Sequence, residues 1–246
     1  MFPSMWSLGR GFGLLGSSRC GNRKKCYKGR IGKGRSLQLE PLEQRQLMSV
    51  SSLSDEWLVN THTSNIQKLA ESTTAVAAAP NGDYLVSWTS NGQDGSGLGI
   101  YAQQFTAAGA ASGNEFRANT TTAGDQQRPS VAADGSGNSV IVWESYGQDG
   151  DHSGVYGQRY DASGQTVGAE FRSNVTTLGY QETPQAACLT GGGFVVVWGG
   201  KGAGDVSGIF GRQYDASGAP LGGEFLINTQ TCPARRNFQL GNEIKR

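Results

Sequence analysis

The sequence predicts an all-β fold assembled from tandem four-stranded antiparallel units, and three observations carry that expectation. Trp88, Trp143 and Trp198 fall at a constant interval of 55 residues. Other landmarks keep the same step or slip by one: Asp94, Asp149 and Asp205; Tyr101, Tyr156 and Phe210; Glu115, Glu170 and Glu224; Asn119, Asn174 and Asn228. Glycine is abundant, with 38 residues, while charged residues make up only 17%, a balance that suits many tight turns between short strands. A fixed internal period decides architecture before local propensity does.

Each period reads as four strands in order. The first is short and built of small residues, "TAVAAA", "PSVAA" and "PQAAC". Turns with Asn-Gly or Gly-Gly character follow ("PNGD", "DGSGN", "TGGG"), as tight hairpins require. The second strands, "YLVSW", "SVIVW" and "FVVVW", are apolar without a break, which suits burial on both faces. In the third, "IYAQQF", "VYGQRY" and "IFGRQY", alternation puts the aromatic residues on one face. The small Ala102, Gly157 and Gly211 lie on the other, where they predict close approach of a neighbouring sheet. A polar hairpin leads to the fourth strand, "NEFRANT", "AEFRSNV" and "GEFLINT".

Such a unit hides two apolar faces only by stacking on its neighbours. The expected whole is therefore a partial or truncated β-propeller-like array of antiparallel blades behind a disordered N-terminal leader. Tandem β-sandwiches need about 100 residues each and β-helix coils have a much shorter period, so both fit less well. The leader spans 1–50, the three-repeat domain 51–231 with units ending near 120, 175 and 229, and a non-repeat tail 232–246. The chain enters on "EWLVNT" (56–61), which matches a fourth strand. A closed propeller needs at least about four blades, so truncation or closure by self-association is expected.

Charge is split along the chain. Residues 1–50 hold ten Lys/Arg against Glu40 and Glu43, whereas residues 51–231 hold seven Lys/Arg against 17 Asp/Glu. The acidic body argues against a nucleic-acid partner, because phosphates would be repelled. No stretch of 18 apolar residues is present, so no transmembrane helix is expected. Cys20 and Cys26 ("CGNRKKC") have no zinc-ligand spacing, Cys188 replaces the Ala133 of the preceding unit, and Cys232 follows the last repeat, so no disulfide framework is implied.

The phrase built on Gln148, Asp149, Gly150, Tyr156, Gln158, Tyr160, Asp161, Gly164, Glu170, Phe171 and Asn174 resembles the QDGSGxGIYAQ-type repeats of large bacterial surface and secreted proteins. In the leader, "LQLEPLEQRQLMS" (37–49) resembles the LEPR-XLL sorting signature of planctomycete-type extracellular proteins, through Leu42, Glu43, Arg45, Leu47 and Ser49. Gln44 and Met48 depart from its commonest form, and the preceding "MWSLGRGFGLLG" lacks an uninterrupted apolar core. The resemblances imply export, with a secreted or cell-envelope location.

Candidate chemistry is sparse. Asp94, Asp149, Asp151 and Asp205 sit in glycine-rich loops and are candidate calcium ligands, since Ca²⁺ takes six to eight oxygens. Each "QDG" brings one carboxylate, so turn formation is the favoured reading, as it is for Asp161 and Asp215 in "YDASG". No other cofactor is implied. "APNGDYLVSW" resembles the Asp-box hairpin of sialidase-like propellers only in having a turn before a strand that ends in Trp. Of the body arginines, Arg117 and Arg172 occupy equivalent outer-strand positions and read as surface residues, beside Arg128, Arg159 and Arg212. His62 and His152 stand in unrelated loops, and Trp88, Trp143 and Trp198 read as blade packing rather than sugar platforms.

The expectation is thus an exported, non-enzymatic repeat protein: a structural, adhesive or ligand-binding module facing an unknown protein or polysaccharide. The alternative is a glycan-acting propeller hydrolase or lyase, or a truncated remnant without independent function. Carboxylates that differ from unit to unit and converge at one end of the array would mark the enzyme. The sequence instead repeats its polar residues unit after unit, which favours the scaffold.

Overall fold

A computed structural model describes residues 56–69 and 74–230. The LEPR-XLL-like stretch, the leader and the tail from 232 lie outside the described residues. The chain divides into a unit at 1–53 and a second at 54–246, and the architecture below belongs to the second.

The described residues are strands and turns with no helix. The first blade holds β1 (Gln67–Lys68), β2 (Val76–Ala78), β3 (Tyr84–Asn91), β4 (Leu98–Phe105) and β5 (Ala111–Arg117). The second holds β6 (Gln126–Ala133), β7 (Ser139–Tyr146), β8 (Ser153–Tyr160) and β9 (Thr166–Arg172). The third holds β10 (Gln181–Cys188), β11 (Phe194–Gly202), β12 (Asp205–Tyr214) and β13 (Phe225–Leu226). All pairings between these strands are antiparallel, in the order β6-β7-β8-β9 and β10-β11-β12-β13. In the first blade β1 and β2 both pair with β3, sharing the place of one long strand. The result is an unclosed, propeller-like array of three antiparallel sheets.

Stacking comes from the alternation within β3, β7 and β11. Trp143, Tyr156 and Tyr160 of the second blade pack with Leu85, Ile100 and Ala102 of the first in one core. The opposite face of the second blade, Val140, Val142 and Val155, packs with Phe194, Trp198, Phe210 and Tyr214 of the third. Trp88, Trp143 and Trp198 are all buried, as blade packing requires. Burying an aromatic residue of this size is worth about 3–5 kcal/mol against alanine, so these layers carry much of the stability. In β7 every residue up to Ser145 is buried, whereas in β11 burial alternates, because among the described residues only one of its faces meets another sheet.

The small third-strand residues do a different job from the one expected. A Cβ on Gly157 would stand 2.8 Å from Phe171 Cζ, 3.0 Å from Val142 Cγ1 and 3.1 Å from the Ile141 carbonyl oxygen. Gly157 and Phe171 are cross-strand partners, as are Gly211 and Phe225. The space is filled by the phenylalanine of the blade's own fourth strand, an aromatic rescue of glycine, rather than by approach of another sheet.

The repeated polar phrase is a clamp between consecutive units. Glu115 accepts from the Thr61 N–H (2.6 Å), the Thr61 hydroxyl (2.9 Å) and Gln93 Nε2 (2.5 Å). Glu170 accepts from the Thr120 N–H (2.6 Å), its hydroxyl (2.8 Å) and Gln148 Nε2 (2.6 Å). Glu224 accepts from the Val175 N–H (2.7 Å) and the Thr176 hydroxyl (2.5 Å). The "NT" of the leading segment and of the first unit, and the "NVT" of the second, therefore each hold the glutamate of the unit that follows.

Candidate active site

The aspartates of the "QDG" loops are spread over three blades. Asp94 Oδ1 accepts from the Ser96 N–H, Asp149 Oδ2 from Asn174 Nδ2 (2.9 Å) and Asp205 Oδ2 from Asn228 Nδ2 (3.2 Å). Only Asp149 and Asp151 share a loop. Asp151 Oδ2 accepts from the Gly179 N–H (2.8 Å) and Oδ1 lies 2.6 Å from His152 Nδ1. The Gly179 bond, followed by the one to His152, holds the Asp151 carboxyl below the usual carboxylate range. Among the described residues no three His, Cys, Asp or Glu side chains come together as a metal-ligand group.

A second polar group was not singled out from the sequence. β6 and β10 begin on buried glutamines. Gln126 accepts from Asn119 Nδ2 (3.0 Å) and donates to the Ala123 carbonyl (3.1 Å). Gln181 accepts from Asn174 Nδ2 (3.0 Å) and donates to the Lys201 carbonyl (3.1 Å). Just after each glutamine the register slips, between Gln127 and Ser130 and between Glu182 and Gln185. Arg128 and Thr183 there take φ of 54° and 53°, a left-handed conformation rare outside glycine. Bulges of this kind re-aim side chains and gather at functional rims.

The re-aimed Arg128 brings two carboxylates together. Its Nη1 lies 2.8 Å from Glu144 Oε2 on β7 and 3.4 Å from Glu182 Oε2 on β10, so the group joins the second blade to the third. Gln127, the cross-strand partner of Glu144, donates to its Oε1 at 3.1 Å. Both oxygens of Glu144 are thus engaged, which a charge whose side chain is only 6% exposed requires. Arg128 and Glu182 keep 40% and 43% of their side chains exposed and are reachable from solvent.

This group does not repeat. Glu144 stands where the other units carry Thr89 and Gly199, Glu182 where the preceding unit carries Gln127, and Arg128 where the following unit carries Thr183. The sequence signal was an odd residue directly after the periodic tryptophan, visible only when the units are compared for differences. A concavity of about 850 Å³ opens at the other end of the same strands, between the β6–β7 and β10–β11 turns. It is lined by Asp134, Arg159, Tyr160 and Cys188. Burial and then the charge of Asp134 push the Cys188 thiol up to about 11.

Neither a family model nor a curated protein matches the chain. Among solved structures it is similar to an endo-arabinase from Bacteroides thetaiotaomicron VPI-5482, at 13% identity and a TM-score of 0.39, over 60% of this chain and 59% of that one. It is also similar to a GH43 endo-arabinanase from Bacillus licheniformis, at 17% identity and a TM-score of 0.36, over 61% and 57%. The chain spans less than three fifths of either protein, and no residue here is assigned a role from them.

The expectation of a non-enzymatic structural or adhesive module is corrected at this point. The two similar structures are an endo-arabinase and a GH43 endo-arabinanase by name, in line with the hydrolase held as its alternative. The premise of the scaffold reading was that polar residues repeat unchanged, and Arg128, Glu144 and Glu182 break it at one end of two adjacent inner strands.

Proposed function

We propose that the blade array acts on glycans as a hydrolase, with Glu144 and Glu182 as its paired carboxylates. The observation that carries this reading is the Arg128 bridge, which gathers two unit-specific acids at the rim of the second and third blades. Glycoside hydrolysis characteristically uses two carboxyl groups flanking the scissile bond. Both carboxylates contact one guanidinium nitrogen, at 2.8 and 3.4 Å, and so stand side by side at the rim.

The pair divides by environment. Glu144 is buried, with one oxygen on Arg128 and the other on Gln127, and is the fixed member of the pair. Glu182 is open to solvent and is the member of the pair that meets substrate and water. Arg128, fixed by its bulge, positions both. The leader's resemblance to a sorting signature supports a site of action outside the cell.

The test is release of reducing ends from a panel of polysaccharides, arabinan included, by the full chain and by Glu182→Gln. Turnover of at least one polymer by the wild type, reduced about 100-fold or more in the variant, is expected. A wild-type chain inert on the whole panel, or one whose activity survives the substitution, overturns the reading.

A further inference from the structure

Among the described residues no sheet covers one face of the third blade, and its composition matches a face that is buried inside the chain. In the second blade Val140, Val142 and Val155 are at most 2% exposed, covered by the aromatic face of the next blade. Their counterparts on the third blade are Val195, Val197 and Ile209, and Ile209 is 46% exposed. Phe225 and Ile227 beside it are also 46% exposed.

The first blade shows what such a face is built to meet. Among the described residues no blade precedes its aromatic layer of Trp88, Tyr101 and Phe105, and Val59 of the leading segment packs against that layer. Trp57 of the same segment lies over Gly109, and Thr61 holds Glu115. That segment, "EWLVNT" (56–61), is nearly a copy of the third blade's last strand region, "EFLINT" (224–229). Glu, Leu, Asn and Thr are identical, and the differences are Trp57 for Phe225 and Val59 for Ile227. The chain thus carries two versions of one docking element. One caps the first blade in cis, and the other borders an open apolar face.

We infer that the open face of the third blade docks on the first blade of a second copy of this chain, with "EFLINT" replacing the partner's own "EWLVNT" cap. The contact continues the blade-to-blade interface already formed twice within the chain, including the Thr-to-Glu clamp. Thr229 stands where Thr61 does and would donate to Glu115 of the partner subunit. Formed at both ends by two copies, it yields six blades, within the range of closed rings and with the two-fold symmetry commonest in oligomers. The inference is independent of the proposed hydrolase activity.

Sedimentation of the full chain over a range of concentrations tests it. A species of twice the chain mass is expected, and Ile209→Arg, which places a charge in the core of the contact, weakens its association on the order of 100-fold. Ile227→Glu gives the same result by a second route if the arginine variant does not fold. Thr61→Ala loosens the cis cap and shifts the population toward the dimer. A monomer at every concentration overturns the inference. So does a dimer indifferent to both charge substitutions, or an open face protected from hydrogen exchange within the monomer by the chain's own segments.

Discussion

Gly157 shows how one side chain's absence is used by another. With Phe171 Cζ and the Ile141 carbonyl crowding the place of its Cβ, Gly157→Ala forces either the ring or the backbone to move. A loss of about 1–3 kcal/mol is expected, read as a fall in Tm, with Phe171→Leu restoring part of it in the double variant. Cys188 is the contrasting case, a residue whose chemistry is suppressed. Its thiol, raised to about 11 by burial and by Asp134, resists alkylation at pH 8 in the folded protein and reacts as pH approaches 11 or on unfolding. At this scale the sequence was legible wherever a residue recurs, as the three buried tryptophans show. It was opaque for Glu144, because searching for a repeat discards the position that departs from it. Arg128 was visible as a residue but not as a bridge, since nothing local signals a positive φ outside glycine.

Among the elements, the fourth strands and the loops that clamp them were readable as a motif but not as a mechanism. "QDG", "EF" and "NT" lie far apart in sequence, and only pairing across the blade brings Gln93 and Thr61 onto Glu115. Burial alone would raise the Glu115 carboxyl, and the bonds from Gln93, Thr61 and the His62 backbone outweigh it, so the group sits below the usual glutamate range. A carboxyl depressed on folding stabilises fully above its unfolded value of about 4.3, and loses that contribution as pH falls through the lower folded value. Glu115→Ala is therefore expected to cost about 1 kcal/mol at neutral pH, after discounting for partial exposure. The gap between wild type and variant should close progressively below pH ~4.3, as followed by urea unfolding at a series of pH values. A gap independent of pH would assign the effect to packing alone. The bulges of β6 and β10 were the elements that the sequence concealed. "PSVAA" and "PQAAC" announce small-residue strands, and nothing in them indicates that pairing extends back across a register slip to Gln126 and Gln181.

For the molecule as a whole, a period of 55 residues was enough to give three stacked antiparallel blades, because each blade's apolar faces are satisfied only by another's. The middle blade, packed on both sides, is the keystone. Trp143→Ala, which empties a fully buried site between the first two blades, should cost about 3–5 kcal/mol and unfold much of the array, detected as loss of protection in β3 and β7 together. The same stacking places the second and third inner strands side by side, which lets Glu144 and Glu182 share one arginine. That arrangement has a purely mechanical counterpart, an ion pair that ties two blades together, and the two roles differ in what they lose on substitution. The decisive measurement is turnover and Tm determined on the same preparation of Glu144→Gln. An array that works as a hydrolase retains its Tm within a few degrees while polysaccharide cleavage falls about 1,000-fold. A large fall in Tm with cleavage per folded molecule unchanged would contradict the account and leave Glu144 as a strut between blades.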